Sequence, residues 1–199
     1  MPAIVHPQVY EVELKFPVSD AVAIERELAA LGAHRQDAVE QVDRYFAHPC
    51  RDFVATDEAL RLRRTGDDVA ITWKGPRIDA AAKTRREIEL PLPVAGGLGP
   101  HTAEAAIGRW TGLLEALGFR QVHAVTKRRR LATVDWQGTL VETALDHVSG
   151  LGDFLELELQ AATTDELPRA HERLESLARR LGCGRPERRS YLELLVARG

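Results

Sequence analysis

Several stretches of this chain place like charges two residues apart. Glu11 and Glu13 precede Lys15, Arg61 precedes Arg63, Lys127 precedes Arg129, and Glu156 precedes Glu158. In an extended strand alternate side chains leave by opposite faces, so each set shares one face. Val12, Leu14 and Phe16 take the face opposite the first set, and Leu155, Leu157 and Leu159 the face opposite the last. Arg85, Glu87 and Glu89 repeat the spacing with mixed charge, and Lys74, Glu142 and Asp146 lie on neighbouring extended stretches. Clustered carboxylates suit Mg²⁺ or Mn²⁺, which favour oxygen ligands. Lys and Arg suit phosphate oxygens, Arg through its two-pronged fork. The residue types together describe a site for a polyphosphate and its divalent ions.

The plainer alternative is a solvated sheet face whose ion pairs each contribute at most about 1 kcal/mol. Two features argue against it. Like-signed pairs repel on one face, which a solvent face has no need of. The opposite faces are strongly apolar and need cover, and the chain supplies amphipathic helices to cover them. If the helices lie outside a closed sheet, the charged faces point inward. A small barrel lined with about eight acids and seven bases is stable only if something charged and hydrated belongs there.

The elements that must position these residues follow from the pattern. Strands are expected at Tyr10–Phe16, His34–Phe46, Ala59–Arg64, Val69–Lys74, Thr84–Leu90, Gln121–Val134, Thr139–Asp146 and Phe154–Gln160. Helices are expected from Ser19 to about Leu31 (stripe Val22, Ile24, Leu28, Leu31), from Thr102 to Leu117 (Ile107, Trp110, Leu113, Leu114, Leu117), and from a Thr163/Glu166 capping box to about Leu181. Turn signals such as Thr65-Gly66-Asp67-Asp68 join the strands as hairpins. The expectation is an α+β fold: a closed eight-stranded antiparallel β-barrel, a tunnel, flanked by about three helices. Pro91–Pro100 reads as a loop and is the one place to cut the chain. Each half has too few strands to close a sheet, so residues 1–199 are expected to form one domain.

The 199 residues carry a net charge of −3, which gives no bulk attraction to nucleic acid or acidic membrane. Cys50 and Cys183 lack metal-ligand spacing and read as reduced thiols, and the start of the chain lacks a signal-peptide pattern. No apolar run approaches ~20 residues. A cytoplasmic protein is expected, with no nucleic-acid or membrane partner and with homodimerisation left open. Gly96-Gly97-Leu98-Gly99-Pro100 lacks the Lys-Ser/Thr of a phosphate loop, and no Ser or Cys sits in a nucleophile elbow. His147 reads as a turn residue. Arg128 and Arg130, flanking Arg129, read as outward-facing, solvent-exposed or bridging to a helix.

The motifs in order resemble those of the CYTH superfamily, the triphosphate tunnel metalloenzymes. Glu11-Val-Glu13-Leu-Lys15 is similar to its ExExK signature. Leu60-Arg61-Leu62-Arg63, Trp73-Lys74-Gly75-Pro76, Arg85-x-Glu87-x-Glu89, Lys127-x-Arg129 and the run Leu145-Asp146 to Glu158 follow in family order. The resemblance implies that Lys15, Arg61, Arg63, Lys74, Arg85, Lys127 and Arg129 hold a triphosphate. It implies that Glu11, Glu13, Asp146, Glu156 and Glu158 serve Mg²⁺ or Mn²⁺. Glu87, Glu89 and Glu142 are tunnel acids of open role. Arg189 falls near a basic residue that many members carry at the C-terminal end. Tyr45 sits where some family triphosphatases place a tyrosine that helps the signature lysine, here Lys15, activate water; a packed strand aromatic is the other reading.

Two reactions fit one charge pattern. In class IV adenylyl cyclases the ribose 3′-oxygen of ATP attacks the α-phosphorus. In triphosphatases water attacks the terminal phosphorus of inorganic, thiamine or nucleoside triphosphate. Local wording such as Leu151-Gly152-Asp153-Phe154 and Arg189-Ser190-Tyr191 is similar to the cyclases. A non-catalytic polyphosphate or nucleotide sensor is a third reading, opposed by the complete acidic set.

Overall fold

A computed structural model of the chain describes residues 10–77, 85–95 and 102–198. Residues 1–9, 78–84, 96–101 and 199 lie outside the described residues, and with them Thr84, the expected start of a strand, and the second half of the expected Pro91–Pro100 loop. The strands are β1 (Tyr10–Val18), β2 (His34–Arg35), β3 (Val39–Ala47), β4 (Ala59–Thr65), β5 (Asp68–Arg77), β6 (Arg85–Leu92), β7 (Arg120–Trp136), β8 (Thr139–Val148) and β9 (Gly152–Ala161). The helices are α1 (Ala21–Ala30), α2 (Ala103–Ala116), α3 (Leu167–Arg180) and α4 (Tyr191–Val196).

Every pairing is antiparallel, in the order β7-β3-β4-β5-β6-β1-β9-β8, and β8 returns to β7. This closes the expected eight-stranded barrel. The ninth strand, β2, adds to the far end of β7 through His34 and Arg35, so the stretch expected as one strand from His34 is two. Closure removes open sheet edges. Among the described residues β6 and β1 pair at Tyr10–Arg86 and Glu11–Arg85.

The apolar residues of the alternating strands face out and are covered by helices. Val12, Leu14, Phe16, Leu155, Leu157 and Leu159 pack under Ile24 and Leu28 of α1 and Leu174 and Leu177 of α3. Phe46, Leu60, Leu62 and Val69 pack under Ala106, Ile107 and Leu114 of α2. Arg130 pairs with Glu25 of α1, the helix-bridging role expected of it, and Arg128 is exposed. His147 hydrogen-bonds Asp153 across the β8–β9 turn at 2.7 Å.

Several details differ from the sequence expectation. Asp20, not Ser19, caps α1 by accepting from the Ala23 amide, and Val22 is exposed rather than buried. Leu113 and Leu117 of α2 are likewise exposed. Thr163 makes no side-chain cap; a 3₁₀ turn at Thr164–Glu166 leads into α3, and Glu166 accepts from the Ala162 amide. The strand β6 runs on through Pro91 to Leu92, where a loop was expected. The fourth helix, α4, was not foreseen. Among the described residues no helix is long and apolar enough to cross a membrane, and both cysteines are free thiols.

Candidate active site

Closure brings the inward rows together. The register sets Lys15 opposite Glu156 and Glu13 opposite Glu158 between β1 and β9, and Glu142 opposite Glu158 between β8 and β9. On the far side Arg61 lies opposite Tyr45, Arg63 opposite Asp43, and Lys74 opposite Glu87. One cavity of about 370 Å³ results. Among its lining residues are Glu11, Glu13, Lys15, Tyr45, Arg61, Arg63, Lys74, Arg85, Glu87, Glu89, Lys127, Arg129, Glu156 and Glu158.

The basic wall is held by carboxylates. Arg63 grips Asp43 with two bonds, Nε and Nη2 each at 2.7 Å. Arg61 lies 3.6 Å from Asp43 and from Glu87, and its Nε donates to Thr72. Burial opposes ionisation of Asp43, but Arg63 and Arg61 outweigh it and hold the carboxyl well below the usual range. Lys74 Nζ sits 2.6 Å from Glu87 and 3.7 Å from Glu11. Lys127 is 3 % exposed. Burial and the neighbouring Arg129 pull its ammonium down to about 8, against Glu156 and Asp146. Lys15, 1 % exposed, donates to the Arg189 carbonyl and lies 4.1 Å from the Tyr191 ring centroid. Burial and Asp43 push the Tyr45 phenol up, so it stays protonated at neutral pH and can donate a hydrogen bond.

The acidic wall gathers like charge that nearby cations only partly offset. Burial, then Glu13 and Glu142, push Glu158 up to about 7. Burial raises Glu11, with Glu87 and Glu158 adding to the shift and Lys74 opposing it. Carboxylates buried beside one another form a donor set that fits a hard divalent cation. Among the described residues no three carboxylate, imidazole or thiol side chains are gathered at ligand distance. Glu156 instead meets Arg129, and Glu11 meets Lys74.

Three expected residues do not line the cavity. Asp146, expected on the metal side, is fully buried behind the basic wall. Its oxygens accept from Lys127 at 3.0 Å, Arg129 at 2.7 Å and the Tyr191 hydroxyl at 3.0 Å, so here it anchors cations. Glu142 is exposed on β8 and acts on the site through its charge beside Glu158. The Arg189 side chain turns outward onto Glu187, and only its backbone carbonyl reaches Lys15.

Sequence reasoning missed Asp43, Thr72 and the cap formed by α4. Ser190 and Glu193 make a reciprocal capping box that starts this short helix. Tyr191 then lines the cavity beside Lys15 and Lys127 and donates to Asp146. The signal for Asp43 was present, since Gln41, Asp43 and Tyr45 share one face of β3. Arg77, Asp57 and Glu193 form a further node at the cavity, with Arg77 Nη2 2.7 Å from Asp57 and 3.2 Å from Glu193.

Comparison with known proteins agrees with this geometry. The chain is 32% identical over 186 residues to a Methanocaldococcus jannaschii protein provisionally named an adenylate cyclase, with 92% of this chain and 97% of that one covered. It is 32% identical over 191 residues to the adenylate cyclase CyaB of Aeromonas hydrophila, with 93% and 88% covered. The solved structure of the PH1819 protein from Pyrococcus horikoshii superposes with a TM-score of 0.81 at 39% identity, covering 95% of this chain and 99% of that one. A Hippeastrum protein described as having a dominant triphosphatase activity shares the fold at a TM-score of 0.61 and 16% identity, with 95% of each chain covered. The CYTH domain profile matches residues 9–191, and the chain belongs to the CYTH domain family.

Proposed function

We propose that this chain is a metal-dependent enzyme that holds the triphosphate of ATP inside its tunnel and converts ATP to cyclic AMP and pyrophosphate. The observation that carries the reading is the sorted charge of a closed cavity: Arg61, Arg63, Lys74, Lys127 and Arg129 on one side, and Glu11, Glu13, Glu156 and Glu158 on the other. The two relatives at 32% identity, matched over most of their length, carry adenylate cyclase names.

The basic residues bind and orient the phosphates. Each is buried or half-buried, so its charge acts in a medium less screening than water. Phosphate oxygens would take over the donors that Asp43 and Glu87 now occupy. Glu11, Glu13, Glu156 and Glu158 would hold Mg²⁺ or Mn²⁺. A bound divalent ion neutralises phosphate charge and lowers the pKa of an oxygen nucleophile. The tunnel's part is to line up the ribose 3′-oxygen with the α-phosphorus and exclude competing water. The 3′-hydroxyl gives up its proton to water, the new bond joins that oxygen to the α-phosphorus, the α–β bridging bond breaks, and pyrophosphate leaves with the bridging oxygen.

Hydrolysis of the terminal phosphate is the second reading. It is favoured by Tyr45, whose protonated phenol lines the cavity beside Arg61 and could orient a water. The test is a product assay with ATP, and separately with inorganic triphosphate, plus Mg²⁺ or Mn²⁺ at neutral and alkaline pH. Cyclic AMP with pyrophosphate is the expected result. Orthophosphate alone would replace the cyclase with the triphosphatase, and binding without product would make the chain a sensor.

A further inference from the structure

The charged tunnel accounts for most of the cavity lining, and most of the remainder is apolar, with Phe53 rooted in the core beneath α2. That part is Phe53 and Val54 in the turn before β4, Ala59 at the start of β4, and Leu192 at the start of α4. Val54 is 92% exposed, a large apolar side chain held in water at the cavity wall.

The turn that carries Val54 is fixed in place. Asp52 Oδ1 accepts from the Val54 and Ala55 amides, and the Thr56 amide and hydroxyl both donate to the Asp52 carbonyl. The Glu58 amide donates to the Phe53 carbonyl at 2.8 Å. Asp57 adopts a left-handed backbone (φ 53°), uncommon for a residue with a side chain. Its carboxylate is held by Arg77, which also grips Glu193 and the Arg188 carbonyl. One guanidinium therefore ties the Val54 turn to the helix that carries Leu192. Both apolar segments line the cavity that holds the charged rows, and Arg77 joins them through Asp57 and Glu193.

We propose that Val54 and Leu192, backed by Phe53 and Ala59, form an apolar clamp for the organic end of the substrate, so that the tunnel selects a triphosphate bearing a planar base over bare inorganic triphosphate. The clamp rests on the triphosphate reading given above. Rigid apolar walls bind a flat ring at little entropic cost, while inorganic triphosphate has nothing to place there.

The test compares two ligands on the intact protein. Affinities for α,β-methylene ATP and for inorganic triphosphate are measured by calorimetry with Mg²⁺, in the cold and within the time over which no product forms. The variants are Val54→Ser, Val54→Leu and Val54→Ser with Leu192→Ser. Val54 is exposed, so its replacement leaves the fold intact, which circular dichroism checks. The double variant should lose about tenfold or more in affinity for the nucleotide analogue and stay within about twofold for inorganic triphosphate. Val54→Leu should keep nucleotide affinity. Equal losses for both ligands, no loss for either, or a parent protein that binds both ligands equally would overturn the clamp. A parent protein that binds neither ligand would overturn the triphosphate reading and the clamp with it.

Discussion

Asp43 shows how much one buried acid can govern at the scale of a residue. It is 2% exposed and takes a two-pronged grip from Arg63. An Asp43→Asn substitution keeps the shape and removes the charge, leaving Arg63 and Arg61 without their common anion. Breaking a buried pair in this way costs about 3–5 kcal/mol. Urea unfolding of Asp43→Asn should show that loss at neutral pH. The sign with pH follows from the lowered carboxyl. Its stabilisation is complete above the ordinary aspartate value and disappears as pH falls through the depressed one. The variant should therefore lie closest to the parent in strong acid, and a constant difference at every pH would show that the charge is not what matters. A second comparison separates the basic residues. Lys74 bridges Glu87 and Glu11 inside the cavity, whereas Arg189 points outward onto Glu187. Lys74→Ala should raise KM by about tenfold or more, as expected for lost charge-assisted bonds to phosphate. Arg189→Ala should leave KM within about twofold, because exposed ion pairs contribute little. The reverse ranking would move phosphate recognition to the C-terminal segment.

At the scale of elements, α4 is the test case. Six residues cannot sustain a helix alone, because nucleation is costly and few bonds follow it. It exists because Ser190 and Glu193 cap it and Tyr191 plants its hydroxyl on Asp146. Tyr191→Phe keeps the ring beside Lys15 and Lys127 but removes a bond to a buried carboxylate, which should cost about 1–3 kcal/mol in denaturant unfolding. Ser190→Ala should cost about 1 kcal/mol through the lost cap. Stabilities unchanged in both would mean that the cap is not docked as described. The same element marks the limit of what the sequence discloses. Most of the barrel strands were legible because their apolar residues alternate with charged ones, as in Val12, Leu14 and Phe16. The helix α4 was not, since Tyr191–Val196 is too short to show a period. Asp43 was obscured because Val39–Ala47 scatters Glu40, Asp43 and Arg44 over both faces of β3. Arg77 and Asp57 were not legible because they are 20 residues apart and meet only once the chain is folded. Register also decided the place of Asp146. Asp146 is in phase with the tunnel acids, yet it lies opposite Arg129, and that cation with Lys127 claims it.

At the scale of the whole molecule, the barrel is closed around charge that its own residues only partly neutralise. An ordinary small barrel fills its interior with apolar side chains and gains stability from them. This one places its apolar groups outside, under α1, α2 and α3, and keeps its interior for ionised groups. Part of the cost of desolvating those groups is recovered only when a counter-charged ligand enters. Ligand binding should therefore appear as folding stability. With inorganic triphosphate and Mg²⁺ near 100 times their dissociation constant, linkage gives about 2.7 kcal/mol. For a domain of this size that is a rise in Tm of about 5–10 °C. Mg²⁺ with a chelator, or sulfate at equal ionic strength, should give much less. Glu156→Gln should retain a folded transition, lose the part of the shift that depends on Mg²⁺, and lose metal-dependent turnover. A parent protein whose Tm ignores triphosphate and metal alike would mean that the interior charges are balanced among themselves, and the tunnel would then be a structural ion-pair core rather than a binding site.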